Sequence, residues 1–84
     1  MMKRYLVMAL RKPGFDAAVV APHRAFLDDL RAQGRLESNG AFSDQSGGAY
    51  VLLAANLDDA RALVHTDPLH TAGASQLTVY EWNA

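Results

Sequence analysis

Two short runs constrain this chain more than anything else in it. Lys3 to Leu10 and Ala49 to Ala55 both read as strands, and both are apolar on both sides. In the first, Tyr5, Val7 and Ala9 point one way while Leu6, Met8 and Leu10 point the other. Tyr50-Val51-Leu52-Leu53 repeats the pattern in the second. Side chains alternate across a strand with a period of two. A strand apolar on both faces belongs inside a sheet covered on both sides. With 84 residues, the chain has few elements available to cover two faces.

The other segments supply those elements. Val19, His23, Phe26, Leu27 and Leu30 recur at helical spacing, which predicts a helix over Val20 to Gln33. Pro22 fits only in its first turn, so residues 16–20 are expected to form a separate turn. Arg24, Asp28 and Arg31 fall on the outer side, with Arg24 and Asp28 spaced to pair weakly. Gly34 suits the left-handed position after the helix. Arg35 to Phe42 is a polar strand of edge character, with Leu36, Ser38, Gly40 and Phe42 expected on one face. Asn56 caps a second helix that has Asp58 and Asp59 in its first turn. Leu57, Ala60 and Val64 form its inward stripe. That helix must stop before Asp67-Pro68. A short turn or helix over Pro68 to Ala72 follows, closed by Gly73, and Ser75 to Trp82 is the last strand.

The order strand, helix, strand, strand, helix, strand predicts one α+β domain over residues 1–84, a β-α-β-β-α-β unit with an antiparallel sheet. Right-handed crossovers put both helices on one face. The other face then exposes Leu, Met, Val and Tyr side chains, a patch of the size that marks an interface. A closed two-fold homodimer through the open sheet face is the simplest cover. Long side chains and the tails covering a monomer are the alternative.

Composition narrows the function classes. Eight Lys and Arg against nine Asp and Glu leave a net charge of −1, with no basic stripe, so nucleic acid is not an expected partner. Cysteine is absent, which removes disulfides and thiolate metal sites. The apolar run after Met1 is interrupted at Arg11-Lys12, so neither a signal peptide nor a membrane span is expected. The expected location is cytoplasmic. There is no HExxH, P-loop, GxGxxG or GxSxG pattern, and no cofactor is expected.

His23 is the most informative polar residue. It falls on the buried stripe of the first helix, where an imidazole needs a hydrogen-bond partner or access to a pocket. Its ordinary pKa lies near neutrality and suits proton transfer. A satisfied structural histidine is the competing reading. Asp67 extends the inward series Leu57, Ala60, Val64, and a carboxylate at a helix C-terminus gains nothing from the macrodipole. Either it meets a partner such as His23, or it caps the turn that Pro68 starts. One carboxylate has oxygens for both roles. His65 falls on the outer side of the second helix. His70 could line the same opening as Asp67, which makes His23, Asp67 and His70 a conceivable but undiagnostic metal set. Tyr5, Tyr50, Tyr80 and Trp82 sit in strands and read as core or dimer-interface packing.

These residues together resemble the YCII-related (YciI-like) family. The matching features are Tyr5-Leu6-Val7, then His23…Leu27…Leu30…Gly34-Arg35-Leu36, then Gly40 and Gly48, then Leu57…Ala60 and Asp67-Pro68-Leu69…Gly73. The resemblance implies a ferredoxin-like fold, a dimeric α/β-barrel-type assembly and an active-site cleft. It maps the family's helix histidine to His23 and its Asp-Pro aspartate to Asp67. One branch of the family dehydrochlorinates a hydroxyaromatic compound, with a histidine–aspartate pair implicated. Two departures stand out. Val20 occupies a place where an arginine often precedes the histidine, leaving Arg24 as the candidate replacement, and Gly40-Ala41 stands for a common Gly-Pro pair.

Two functional readings follow. The first is a lyase or isomerase in which His23 moves a proton and Asp67 orients it, with Ser38 or Asn39 as candidate positioning groups. The second is a non-catalytic small-molecule-binding or dimeric scaffold protein.

Overall fold

The doubly apolar runs become the two central strands of one sheet. The computed structural model describes Met1 to Ala84. Strand β1 (Lys3–Arg11) is followed by a 3-10 turn over Ala17–Val19 and helix α1 (Val20–Ala32). Strands β2 (Leu36–Ala41) and β3 (Gly47–Ala54), helices α2 (Leu57–Val64) and α3 (Pro68–Thr71) and strand β4 (Ser75–Glu81) complete the order. The sheet runs β2-β3-β1-β4 with every neighbouring pair antiparallel. This β-α-β-β-α-β topology is ferredoxin-like. No helix is long and apolar enough to cross a membrane.

Register decides what faces the helices. Val7 pairs with Tyr50 on one side and Val79 on the other, and Tyr5 pairs with Leu52. Tyr5, Val7, Tyr50, Leu52 and Ala54 are buried with Leu27, Leu30, Ala60 and Val64 in the larger core cluster. A smaller cluster of Ala9, Val19, Leu69 and Ala74 lies toward the other end of the helix layer. On α1, His23 lies between Val19 of the small cluster and Leu27 of the large one. Asp67 lies between Val64 and Leu69 in the same way. Both polar residues therefore sit at the seam.

Helix ends are set by local chemistry. The turn before α1 is capped by the Asp16 carboxylate, which accepts from the Ala18 N–H at 2.9 Å. Pro22 falls in the first turn of α1, where its missing N–H has no helical acceptor to lose. After α1, Gly34 takes φ +70°. The Gly34 N–H then donates to the Arg31 carbonyl and the Arg35 N–H to the Leu30 carbonyl, the Schellman pattern. Gly73 closes α3 by the same device, with φ +66°.

Strand β2 departs from the expected alternation. Its pairing with β3 shifts between Leu36 and Ser38, a β-bulge. Leu36 pairs with Leu52 and Asn39 with Tyr50 on the helix side, while Ser38 pairs with Val51 on the open side. Leu36 and Ser38 thus lie on opposite faces, because the bulge inserts one residue between them. Glu37, at the bulge, accepts from the Arg4 guanidinium at 2.7 Å. The outer face of α1 also differs from expectation: Asp28 pairs with Arg31 at 2.7 Å and not with Arg24.

No element of this chain covers the second face of the sheet. Leu6 and Met8 are half-buried there, whereas Leu10 is 45% exposed and Tyr80 54%. Trp82, just past β4, is 46% exposed.

Candidate active site

Asp67 is the centre of the site because three donors converge on it. Its backbone is extended and precedes Pro68 at the first position of α3, so its side chain folds back as the helix cap. Asp67 Oδ1 accepts from the Leu69 N–H at 2.9 Å. The same oxygen lies 2.9 Å from His23 Nδ1. Oδ2 accepts from the Tyr50 hydroxyl at 2.9 Å. The Asp67 side chain is 0% exposed, and no buried side-chain polar atom in the chain lacks a partner. The two readings of Asp67, cap and histidine partner, hold together.

The carboxylate fixes the imidazole. With the Asp67 carboxylate as acceptor, Nδ1 of His23 carries the hydrogen, and in the neutral imidazole Nε2 is left with the lone pair. The ring lies 6.5 Å from the Phe26 ring and 6.0 Å from that of Tyr50, centroid to centroid, so aromatic neighbours limit its rotation. The His23 side chain is 18% exposed and lines a cleft.

The cleft exists because the sheet beneath it carries small residues. Ala9 pairs with Gly48, and Gly48 with Ala41, all on the helix side. This row leaves about 230 Å³ below Phe15, Val20, Leu27 and Leu69. The polar groups on its wall belong to Arg11, His23, Arg24, Asn39, Tyr50 and Ser75. A Cβ on Gly48 would come within 2.5 Å of the Gly40 carbonyl oxygen, so the close approach of β2 to β3 here requires glycine. Burial, with the Asp67 carboxylate beside it, pushes the Tyr50 phenol far above its ordinary value. Tyr50 therefore stays a hydrogen donor.

Of the candidate site residues, His23 and Asp67 come together. Asn39 also faces the cleft, where it accepts from the Arg31 guanidinium at 2.8 Å. Ser38 does not, because the bulge turns it to the open face. His70 is exposed and stacks on His65 at 4.6 Å, away from the cleft wall. No three His, Asp or Glu side chains are grouped to hold a metal ion, so His70 does not complete a set with His23 and Asp67. Tyr50 was not distinguishable in the sequence from a core tyrosine. The one available signal was its place on a central strand opposite the histidine-bearing helix.

The family model described as the YCII-related domain matches residues 3–83. The chain belongs to the YCII-related family. Within that family it is similar to the uncharacterised protein YjpA of Bacillus subtilis (strain 168), 46% identical over 81 residues, which is 96% of this chain and 95% of that protein. Among solved structures it resembles the 5-chloro-2-hydroxyhydroquinone dehydrochlorinase TftG of Burkholderia phenoliruptrix AC1100, in complex with 2,5-dihydroxybenzoquinone. That likeness has a TM-score of 0.76 at 22% identity and covers 95% of this chain and 93% of the other. A dimeric protein of unknown function with a ferredoxin-like fold from Bacteroides fragilis NCTC 9343 aligns with a TM-score of 0.49 at 16% identity, over 96% of each chain.

Proposed function

We propose that this member of the YCII-related family is a small-molecule lyase or isomerase whose own side chains carry the proton transfer. The observation behind this reading is the 2.9 Å contact between His23 Nδ1 and a fully buried carboxylate, with the His23 side chain lining a cleft. Nε2 takes a proton from a carbon next to a carbonyl, and the bonding pair moves into an enolate. In an elimination that pair then expels a leaving group, and the proton on Nε2 passes to water. In an isomerisation Nε2–H returns the proton at another carbon. Asp67 touches no substrate; it is a positioning residue that holds Nδ1–H and stabilises the imidazolium. The dehydrochlorinase named above performs an elimination on the same fold, which supports the lyase class.

The test is solvent-isotope exchange and elimination across a panel of hydroxyaromatics and lactones, with wild type and His23→Ala compared. Turnover in the wild type and its loss in the variant are expected. A wild type no faster than buffer overturns the reading.

One observation favours a second reading. Tyr50 and the Leu69 N–H already give Asp67 a structural role without any chemistry. A ligand-binding protein with an inert cleft has the same geometry. In that case a small molecule binds unchanged, and His23→Gln binds it equally well. For either reading we propose a homodimer through the open sheet face, on the exposure of Leu10 and Tyr80 there.

A further inference from the structure

The cleft wall is charged in one sense only. Arg11 and Arg24 both line it, and no aspartate or glutamate does. Neither guanidinium has a carboxylate partner in the fold, although Lys3, Arg4 and Arg31 each have one. Asp67 lies behind His23 with no exposed surface, and its oxygens already accept three hydrogen bonds. Asp28, on the turn after Arg24, is taken by Arg31. A chain of net charge −1 thus gathers two of its eight cations at one concavity with no facing acid.

Arg11 is also held in place. Its guanidinium carbon lies 4.3 Å from the centroid of the Phe15 ring, and Phe15 itself lines the cleft. A cation stacked on an aromatic face keeps its donor edges free for an acceptor. Arg24, on α1, lines the same cleft as the imidazole. Arginine donors matched to carboxylate or enolate oxygens make the stronger, charge-assisted class of hydrogen bond. Beneath them, the floor is built of the small residues Ala9, Gly48 and Ala41.

We propose that the cleft selects a compact organic anion, with Arg11 and Arg24 binding its charged oxygens while its carbon frame lies on the Ala9–Gly48–Ala41 floor. The shared chemistry is a negatively charged oxygen group, either a carboxylate or an acidic enol or phenol. This deepens the proton-transfer reading and rests on it only for the place of the ligand. It also gives the two arginines a role in that chemistry, since an enolate formed beside His23 would face two cations.

The experiment measures binding by ligand-observed NMR with three probes: benzoate, 2,5-dihydroxybenzoquinone as an acidic enol, and benzamide as the neutral isostere of benzoate. Wild type, Arg11→Gln/Arg24→Gln and the control Lys3→Gln/Arg61→Gln are compared. One or both acids are expected to bind the wild type at least about tenfold more tightly than benzamide does. The arginine double variant is expected to lose that preference, whereas Lys3→Gln/Arg61→Gln, which removes two cations outside the cleft, keeps it. Whichever acid binds identifies the source of the charged oxygen. Benzamide binding as well as the acids, an unchanged preference in the double variant, or no binding of either acid each overturns the proposal. A protein that prefers the acids but turns over nothing keeps this inference and loses the catalytic one.

Discussion

The Tyr50 hydroxyl and the His23 imidazole grip opposite oxygens of one buried carboxylate, each at 2.9 Å. One group comes from the central strand β3 and the other from α1, so the Asp67 side chain ties the sheet to the helix layer at the seam between the two core clusters. The contact is at once a structural link and the support of the candidate base.

The two members of the pair should therefore fail differently. Asp67→Ala strips three donors of their acceptor and removes the cap of α3. A loss of roughly 3 kcal/mol or more in urea unfolding is expected. His23→Ala leaves Asp67 with two donors and opens the cleft to water, so about 1 kcal/mol is expected. The proposed turnover should nonetheless vanish in His23→Ala. Equal destabilisation by the two changes would contradict this assignment of roles.

Tyr50 sets the alkaline behaviour. Its phenol is raised in the folded state, first by burial and then by Asp67. Between the unfolded value near 10 and the higher folded value, the unfolded chain has released a proton that the folded chain keeps. Stability is therefore intact below about pH 10 and falls above it, by about 1.4 kcal/mol per pH unit for this one group. Tyr50→Phe should be less stable than wild type at pH 7 by roughly 2 kcal/mol, because Asp67 Oδ2 loses its donor. It should also show a shallower decline above pH 10 in thermal melts. A decline as steep as wild type would mean that Tyr50 does not titrate as argued.

Much of this was legible in the sequence, for a physical reason. Two strands apolar on both faces, Gly34 after a helix and Asp67 before Pro68 are local signals, and each specifies its own backbone geometry. His23 showed itself as a polar residue on an apolar stripe. Tyr50 did not, because a tyrosine on a central strand looks the same whether its hydroxyl finds water or a carboxylate. The faces of β2 were not legible either. A bulge between Leu36 and Ser38 depends on pairing with β3, a partner remote in the chain, and a one-residue slip exchanges the faces. That slip brings Asn39 to the cleft and sends Ser38 away.

The open face of the sheet makes a separate prediction. Leu10 and Tyr80 are exposed there in the single chain, so charged residues at these positions should barely affect the fold of one subunit. In a homodimer through this face they would be buried without partners. Sedimentation equilibrium should find a dimer for wild type and a monomer for Leu10→Glu/Tyr80→Glu, with little change in far-UV circular dichroism. A wild type that sediments as a monomer at high concentration would remove the proposed assembly.

The cleft floor separates space from stability. Ala41 is exposed on the edge strand and lines the cleft, so a larger side chain there can extend into the cavity without displacing backbone. Ala41→Leu should keep its melting temperature within a few degrees and weaken binding of any cleft ligand by about tenfold or more, since its added carbons take space from a cleft of only about 230 Å³. Gly48→Ala is the contrasting change. Its Cβ would meet the Gly40 carbonyl oxygen at 2.5 Å, an atom of the paired strand that cannot swing aside. Strands β2 and β3 must part locally, at a cost of roughly 1–3 kcal/mol. Thermal melts and ligand-observed NMR on the two variants check both halves: one should lose the ligand and keep the fold, and the other should lose stability first. Tight binding by Ala41→Leu would show that the ligand sits somewhere other than on this floor.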